Sequence, residues 1–217
     1  MHVQFVLFDG FDPLDVVAPY EVLYAGGLAG GGAVSVEMVS AEGAREVPSG
    51  TVPLSLRATG RLDPERADLV VVPGASGRIA ESGAAEEAIV DILARSIRSE
   101  LAGLLKTAYD KPGLTVATVC GGSVVLAMAG LIKGRHVTSH HSAMSQLEAA
   151  GAIAVDARVV DDGDLVTGAG VTSGLDLGLY LLERELGPRV AHSVEQLFAY
   201  ERRGTVWRAQ GLAPTPI

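Results

Sequence analysis

The chain has 217 residues, 48% of them hydrophobic and 20% charged, with a formal charge of −9 at pH 7. That length suits one large α/β domain, and this apolar-to-charged balance excludes a disordered chain. The acidic total, with no Lys/Arg run to neutralise phosphates, excludes nucleic acid as an expected partner, and a single cysteine excludes an internal disulfide and a cysteine zinc cluster.

In chain order, the apolar run Val3 to Phe8 predicts a buried strand, and Asp12 to Ala25 predicts a helix with Pro13 near its start. Pro19 lies deeper and predicts a bend or a reset there. Gly26, Gly27, Gly30, Gly31 and Gly32 read as a loop before a strand over Ala33 to Ser40. Glu42 to Leu62 reads as a hairpin or short strands, and Asp68 to Ala75 as a strand running into a Gly turn. Ile79 to Tyr109 reads as largely helical, with apolar residues close to the 3.6 period. A strand then enters C-G-G-S (Cys120 to Ser123), followed by an apolar helix. Short strands at His136 to Ser139, Arg158 to Asp161 and Leu165 to Thr167 flank a helix over Ser142 to Ala150. Helices from Thr172 to Gly187 and Arg189 to Ala199 complete residues 1–200, the expected single domain, and 201–217 reads as a polar, Pro-rich tail. No apolar run approaches the roughly 18 residues of a membrane span, and no basic leader opens the chain. With one cysteine, these features predict a reducing cytoplasm.

Short β-branched strands alternating with helices imply a mostly parallel sheet covered on both faces. In such sheets reactive groups gather where the carboxyl ends of strands meet helix N-termini, which is where Cys120 falls. Small residues on both sides of a sharp strand-to-helix turn permit a strained nucleophile, and Gly121 and Gly122 supply them. The following helix would lower the thiol pKa and offer N–H groups to an anion. A buried cysteine acting as a small hydrophobe is the bland alternative, which the position of Cys120 argues against.

Four segments read together resemble the ThiJ/PfpI superfamily, also called class-I glutamine-amidotransferase-like. They are L-D-V-V-A-P-Y-E-V-L (14–23), V-V-V-P-G-A-S-G (70–77), T-V-C-G-G-S through G-R (118–135) with T-S-H-H (138–141), and L-V-T-G-A-G-V-T-S-G-L-D-L (165–177). The resemblance spans residues 3 to 200 and is nearest the isocyanide (isonitrile) hydratase branch. It implies a flavodoxin-like α/β/α sandwich with a nucleophile elbow, a homodimer, a small-molecule substrate and no cofactor. On it, Cys120 matches the nucleophile and Asp15 the acid that hydrogen-bonds it. Gly74 and Ala75 match the turn whose N–H groups face the cysteine, and His140 matches the histidine of the T-T-H-W-like stretch. Three positions depart from the branch pattern: Gly121 stands where Thr is usual, Ala75 replaces a Gly, and His141 replaces a Trp. Residues 95–114 are longer than the pattern.

Asp12 is the natural cap of the first helix, which leaves Asp15 free; Glu21 reads as a solvated helix-face residue. Adjacent histidines point apart, so His140 and His141 are not expected to bind metal, and His140 is expected to line the pocket or support it. Thr172 or Ser173 would cap the helix after the 168–174 glycine turn, with Thr172 lining the pocket. The expected activity is hydration of an isocyanide to an N-substituted formamide through a Cys120 thioimidate. The alternatives are a glyoxalase III-like, deglycase-like or amidase enzyme using the same cysteine, and a cysteine redox sensor or regulator. GlxA-type regulators share the motifs but carry a helix-turn-helix region for which 201–217 is too short.

Overall fold

The computed structural model describes residues 1–77, 88–212 and 215. In chain order its elements are β1 (His2–Leu7), α1 (Pro13–Ala29), β2 (Ser35–Ser40), β3 (Arg45–Pro48), β4 (Ser55–Ala58), β5 (Gly60–Arg61), β6 (Leu69–Val72), α2 (Ile89–Ile97), α3 (Leu101–Asp110) and β7 (Thr115–Val119). There follow α4 (Gly122–Met128), β8 (His136–Val137), α5 (Met144–Ala149), β9 (Ile153–Ala154), β10 (Val159–Asp161), β11 (Leu165–Gly168), α6 (Ser173–Leu186), α7 (Pro188–Phe198) and β12 (Trp207–Arg208). Eight strands form one sheet in the order β12-β10-β11-β7-β6-β1-β2-β5. The run from β11 to β5 is parallel, β10 is antiparallel to β11, and β12 is parallel to β10. Helices α1, α6 and α7 pack on one face and α2 to α5 on the other, giving the flavodoxin-like three-layer sandwich. No described helix is long and apolar enough to cross a membrane.

The central strands are buried along their length: Leu69 to Val72 is Leu-Val-Val-Val with every residue buried, and Val116 to Val119 likewise. Strands covered on both faces need no polar alternation, which explains the apolar runs. The β1-to-β2 connection leads to one side of β1 and β6 lies on the other. The strand order therefore reverses beside β1, and the crevice at the carboxyl ends there is where such folds bind ligands.

Several local expectations change. α1 runs unbroken through Pro19 and takes in Gly26 and Gly27, which were expected in a loop. A Cβ on Gly26 would lie 2.2 Å from Leu182 Cδ2, so the glycine lets α1 press onto α6. Pro19 is buried in that same contact, against Gly174 and Gly178. The stretch expected as one helical region is two helices, α2 and α3, separated at 98–100; residues 79–87 of it lie outside the described residues. The segment read as a tail supplies β12, an edge strand of the main sheet. Its anchors are Trp207 against the His136 ring, Arg202 on Glu183 and Glu195, and the Arg203 N–H on Asp176 Oδ1.

Candidate active site

Three strand ends build the site. After β1, Asp12 caps α1 by accepting from the Leu14 N–H at 2.9 Å, as expected from its position. One turn further in, Asp15 faces the protein interior and is fully buried, while Glu21 stands exposed. After β6, the chain turns at Gly74 and meets Phe11 in an isolated bridge through Ala75. After β7, Cys120 takes a left-handed backbone (φ +55°) that an L-residue adopts only at a cost of about 1–3 kcal/mol. Its N–H donates to Gly168 O (3.1 Å) and Ala169 O (2.9 Å), and its carbonyl accepts from Ser139 Oγ at 2.6 Å. These bonds hold the turn in place. A Cβ on Gly122 would fall 2.1 Å from Val72 O, so the residue that starts α4 has no room for a side chain.

A buried hydroxyl chain supports the elbow from beneath. Thr118 Oγ1 and Ser123 Oγ are 2.7 Å apart, Ser123 Oγ donates to Thr138 O, and the Thr138 N–H donates to Thr167 Oγ1. This chain ties β7 and α4 to the 138–140 segment and so sets where Ser139 and His140 stand.

Asp15 and Cys120 are electrostatically joined. Burial is the largest influence on Asp15 and pushes its carboxyl well above the usual carboxylate range, with Asp12 adding to the push; the Gly74 N–H and the Cys120 thiol oppose it. Burial also dominates at Cys120, and the neighbouring Asp15 charge raises the thiol further, against the pull of the Gly121 N–H. The expectation of a thiol acidified by the helix start is thus overturned: α4 is seven residues long, and removal from water and the carboxylate outweigh its field. Gly74 N–H donates to Asp15 Oδ2 at 2.8 Å, whereas Asp15 Oδ1 is buried with no partner at hydrogen-bond geometry among the described residues. Gly74 was expected to aim its N–H at the cysteine; it is consumed by Asp15 instead. The bridge of Ala75 to Phe11 uses the Asp12 and Ser76 N–H groups, and Ala75 lines the cavity over Cys120.

A cavity of about 420 Å³ opens over Cys120, a size suited to a small ligand. Ala75, Gly121 and His140 line it as expected. Thr172 does not: its hydroxyl accepts from Arg158 at 2.9 Å, and it lines a neighbouring depression with His141. Its neighbour Val171 lines the Cys120 cavity instead. Thr172 stands at the N-cap position of α6, as expected, but its side chain makes no capping bond, and Ser173 Oγ is buried without a partner among the described residues. The outer wall is Ala88 and α2, through Ile89, Val90 and Leu93, with Val124 and Ala143 also on the lining. These residues fit the apolar helix periodicity read from the sequence, but periodicity alone does not separate a core face from a pocket face. A Cβ on Gly121 would lie 3.3 Å from both Gly74 Cα and Leu93 Cδ1, so Leu93 closes the space a larger residue would need there. No Lys or Arg lines the cavity among the described residues; its polar groups are Asp12, Ser76, His140, Ser142 and Gln146. The rings of His140 and His141 face each other at 4.1 Å rather than pointing apart.

A parallel α/β sandwich carrying a strained cysteine at a strand-to-helix turn, beside a buried acid, defines a class of proteins. The chain belongs to the DJ-1/PfpI family, whose model matches residues 1–184. It is 33% identical over 204 residues to isonitrile hydratase of Pseudomonas putida, covering 92% of this chain and 78% of that protein. It is 31% identical over 171 residues to a deglycase of Pyrococcus abyssi, covering 77% of this chain and 89% of that protein. The HTH-type transcriptional regulator CdhR of Pseudomonas aeruginosa is 28% identical over 201 residues, and the chain spans only 54% of its length. Among solved structures, a ThiJ/PfpI family protein from Pseudomonas syringae superposes with a TM-score of 0.77 at 24% identity (94% of this chain, 76% of that one). DJ-1beta of Drosophila melanogaster superposes at 0.76 and 22% identity, covering 92% of this chain and 98% of that one.

Proposed function

We propose that the protein is a cofactor-independent, cysteine-dependent hydratase that converts an isocyanide to an N-substituted formamide. The observation that carries this reading is Cys120 on the lining of a mostly apolar cavity, with the buried Asp15 coupled to it from behind. No Lys or Arg among the described residues of the lining offers an ionic substrate a partner, so an uncharged R–N≡C suits the cavity. The isonitrile hydratase relative supports the same substrate class.

In this reading the Cys120 sulfur bonds to the terminal isocyanide carbon while a proton reaches that carbon, giving the thioimidate R–N=CH–S. Because the thiol is held protonated, it passes its proton to Asp15 as the carboxyl delivers one to carbon. The Gly121 N–H faces the sulfur, where negative charge develops. Water then adds to the imidate carbon, and the C–S bond breaks to release the formamide. Two copies of the chain are expected to pair, and the cytoplasm is the expected site of action. Incubation of the purified protein with n-butyl isocyanide, following N-butylformamide, tests the reading; equal rates for wild type and Cys120→Ala sink it.

The deglycase relative favours a second reading, in which the same sulfur adds to an α-oxoaldehyde to form a hemithioacetal. Lactate production from methylglyoxal without formamide production selects it.

A further inference from the structure

His140 lines the cavity, but its neighbours restrict what it can do there. Its Nδ1 accepts from the Ser142 backbone N–H at 3.3 Å and lies 2.7 Å from Ser142 Oγ. A backbone N–H only donates, so Nδ1 carries a lone pair and no proton, and the Ser142 hydroxyl turns its hydrogen to the same nitrogen. The one proton of the neutral ring therefore sits on Nε2. The ring stays neutral because partial burial, and next the adjoining His141, lower its pKa below the ordinary histidine value. No described residue accepts from Nε2–H. The backbone that carries the ring is fixed to the elbow through Ser139 and Cys120 O.

We propose that His140 serves the Cys120 cavity as a hydrogen-bond donor through Nε2–H, in the tautomer that Ser142 imposes, and not as a base. For its substrate the proposal rests on the hydratase reading. When water adds to R–N=CH–S, its oxygen bonds to carbon and the C=N π pair moves onto nitrogen. One water hydrogen ends on that nitrogen, and the other returns to sulfur as the C–S bond breaks, leaving R–NH–CHO and the free thiol. Electron density builds on nitrogen, where an N–H donor stabilises it and a lone pair would repel it. Proton transfer then belongs to Asp15 on one side of the sulfur, and donation to the substrate nitrogen belongs to His140. Ser142 is a positioning residue that acts through His140.

The test joins a spectroscopic measurement to kinetics. In uniformly ¹⁵N-labelled protein, the His140 ring, assigned by its loss in His140→Gln, should show an unprotonated Nδ1 and a protonated Nε2 from pH 6.5 to 8.5. In Ser142→Ala that preference should weaken. With n-butyl isocyanide, His140→Gln retains an amide N–H near the Nε2 position but no base, and kcat/KM should stay within about tenfold of wild type. His140→Leu should fall by about 10²–10³, the usual loss for one such donor. A protonated Nδ1, Gln as poor as Leu, or neither variant impaired overturns the proposal. Wild type producing no formamide overturns the hydratase reading instead, and the ¹⁵N measurement then decides the His140 tautomer by itself.

Discussion

Gly74→Ala probes the assembly of the site most directly. The new Cβ would lie 2.5 Å from Gly121 N and 2.9 Å from both Gly121 Cα and Asp15 Oδ2. Two of these atoms are backbone, so no side-chain rotation relieves the clash, and the end of β6 must move from the elbow by roughly 1 Å to restore ordinary contact distances near 3.5 Å. Overpacking of this kind costs about 1–3 kcal/mol. Stretching the Gly74 N–H bond to the buried Asp15 carboxyl adds about 1–3 kcal/mol. We expect a loss of about 2–6 kcal/mol in urea unfolding. Formamide production should fall by about 10², because a displacement of 1 Å at the reacting groups costs that much. Gly103→Ala is the control: its Cβ meets nothing within 4 Å in α3, and it should stabilise by about 0.5–1 kcal/mol. A Gly74→Ala protein within 0.5 kcal/mol of wild type, with unchanged activity, would refute the close-contact reasoning.

Asp15→Asn should stabilise the fold at neutral pH. The folded carboxyl titrates above its unfolded value, so the folded state binds more protons between the two, and stability falls as pH rises through that window. Removing the ionisable group should yield about 1–2 kcal/mol at pH 8 and progressively less towards pH 4, read from urea midpoints; an equal difference at both pH values contradicts the assignment. Cys120 alkylation by iodoacetamide should rise steeply only above pH 9, since burial and Asp15 hold the thiol protonated, and Asp15→Asn should move the profile to lower pH. A plateau already reached by pH 7 would show a standing thiolate. Ending the chain at Tyr200 removes the Arg203 N–H from Asp176 and Arg202 from Glu183 and Glu195. We expect a loss of about 2–4 kcal/mol by thermal unfolding, and an unchanged midpoint would show that 201–212 is dispensable.

The elements that read well are those whose signal is local. Val3 to Phe8 and Asp68 to Ala75 read as strands because parallel strands buried on both faces are uniformly apolar. Asp12 read as a cap because a carboxylate oxygen two residues before an N–H needs only local geometry. Gly26 misled because the same residue that loosens a loop also lets two helices touch, and Leu182, the partner that decides, lies more than 150 positions away; Gly27 instead makes room for the Val34 carbonyl. The tail was missed because a two-residue strand has no period of its own; only β10 beside it makes Trp207 and Arg208 a strand.

At the site, the order of residues alone placed Cys120 on a strained turn at the carboxyl edge of a parallel sheet, since apolar strand, two glycines and helix leave few other geometries. The family resemblance, rather than local pattern, marked Asp15 and His140 as candidates. Tertiary structure decided their states. Burial depth and the approach of Asp15 set the direction of the thiol's titration, and both depend on packing between segments about 100 residues apart. The Gly74 N–H went to Asp15, Val171 rather than Thr172 reached the cavity, and α2 closed over it, because hydrogen bonds and walls are made by whatever folding brings within a few ångströms.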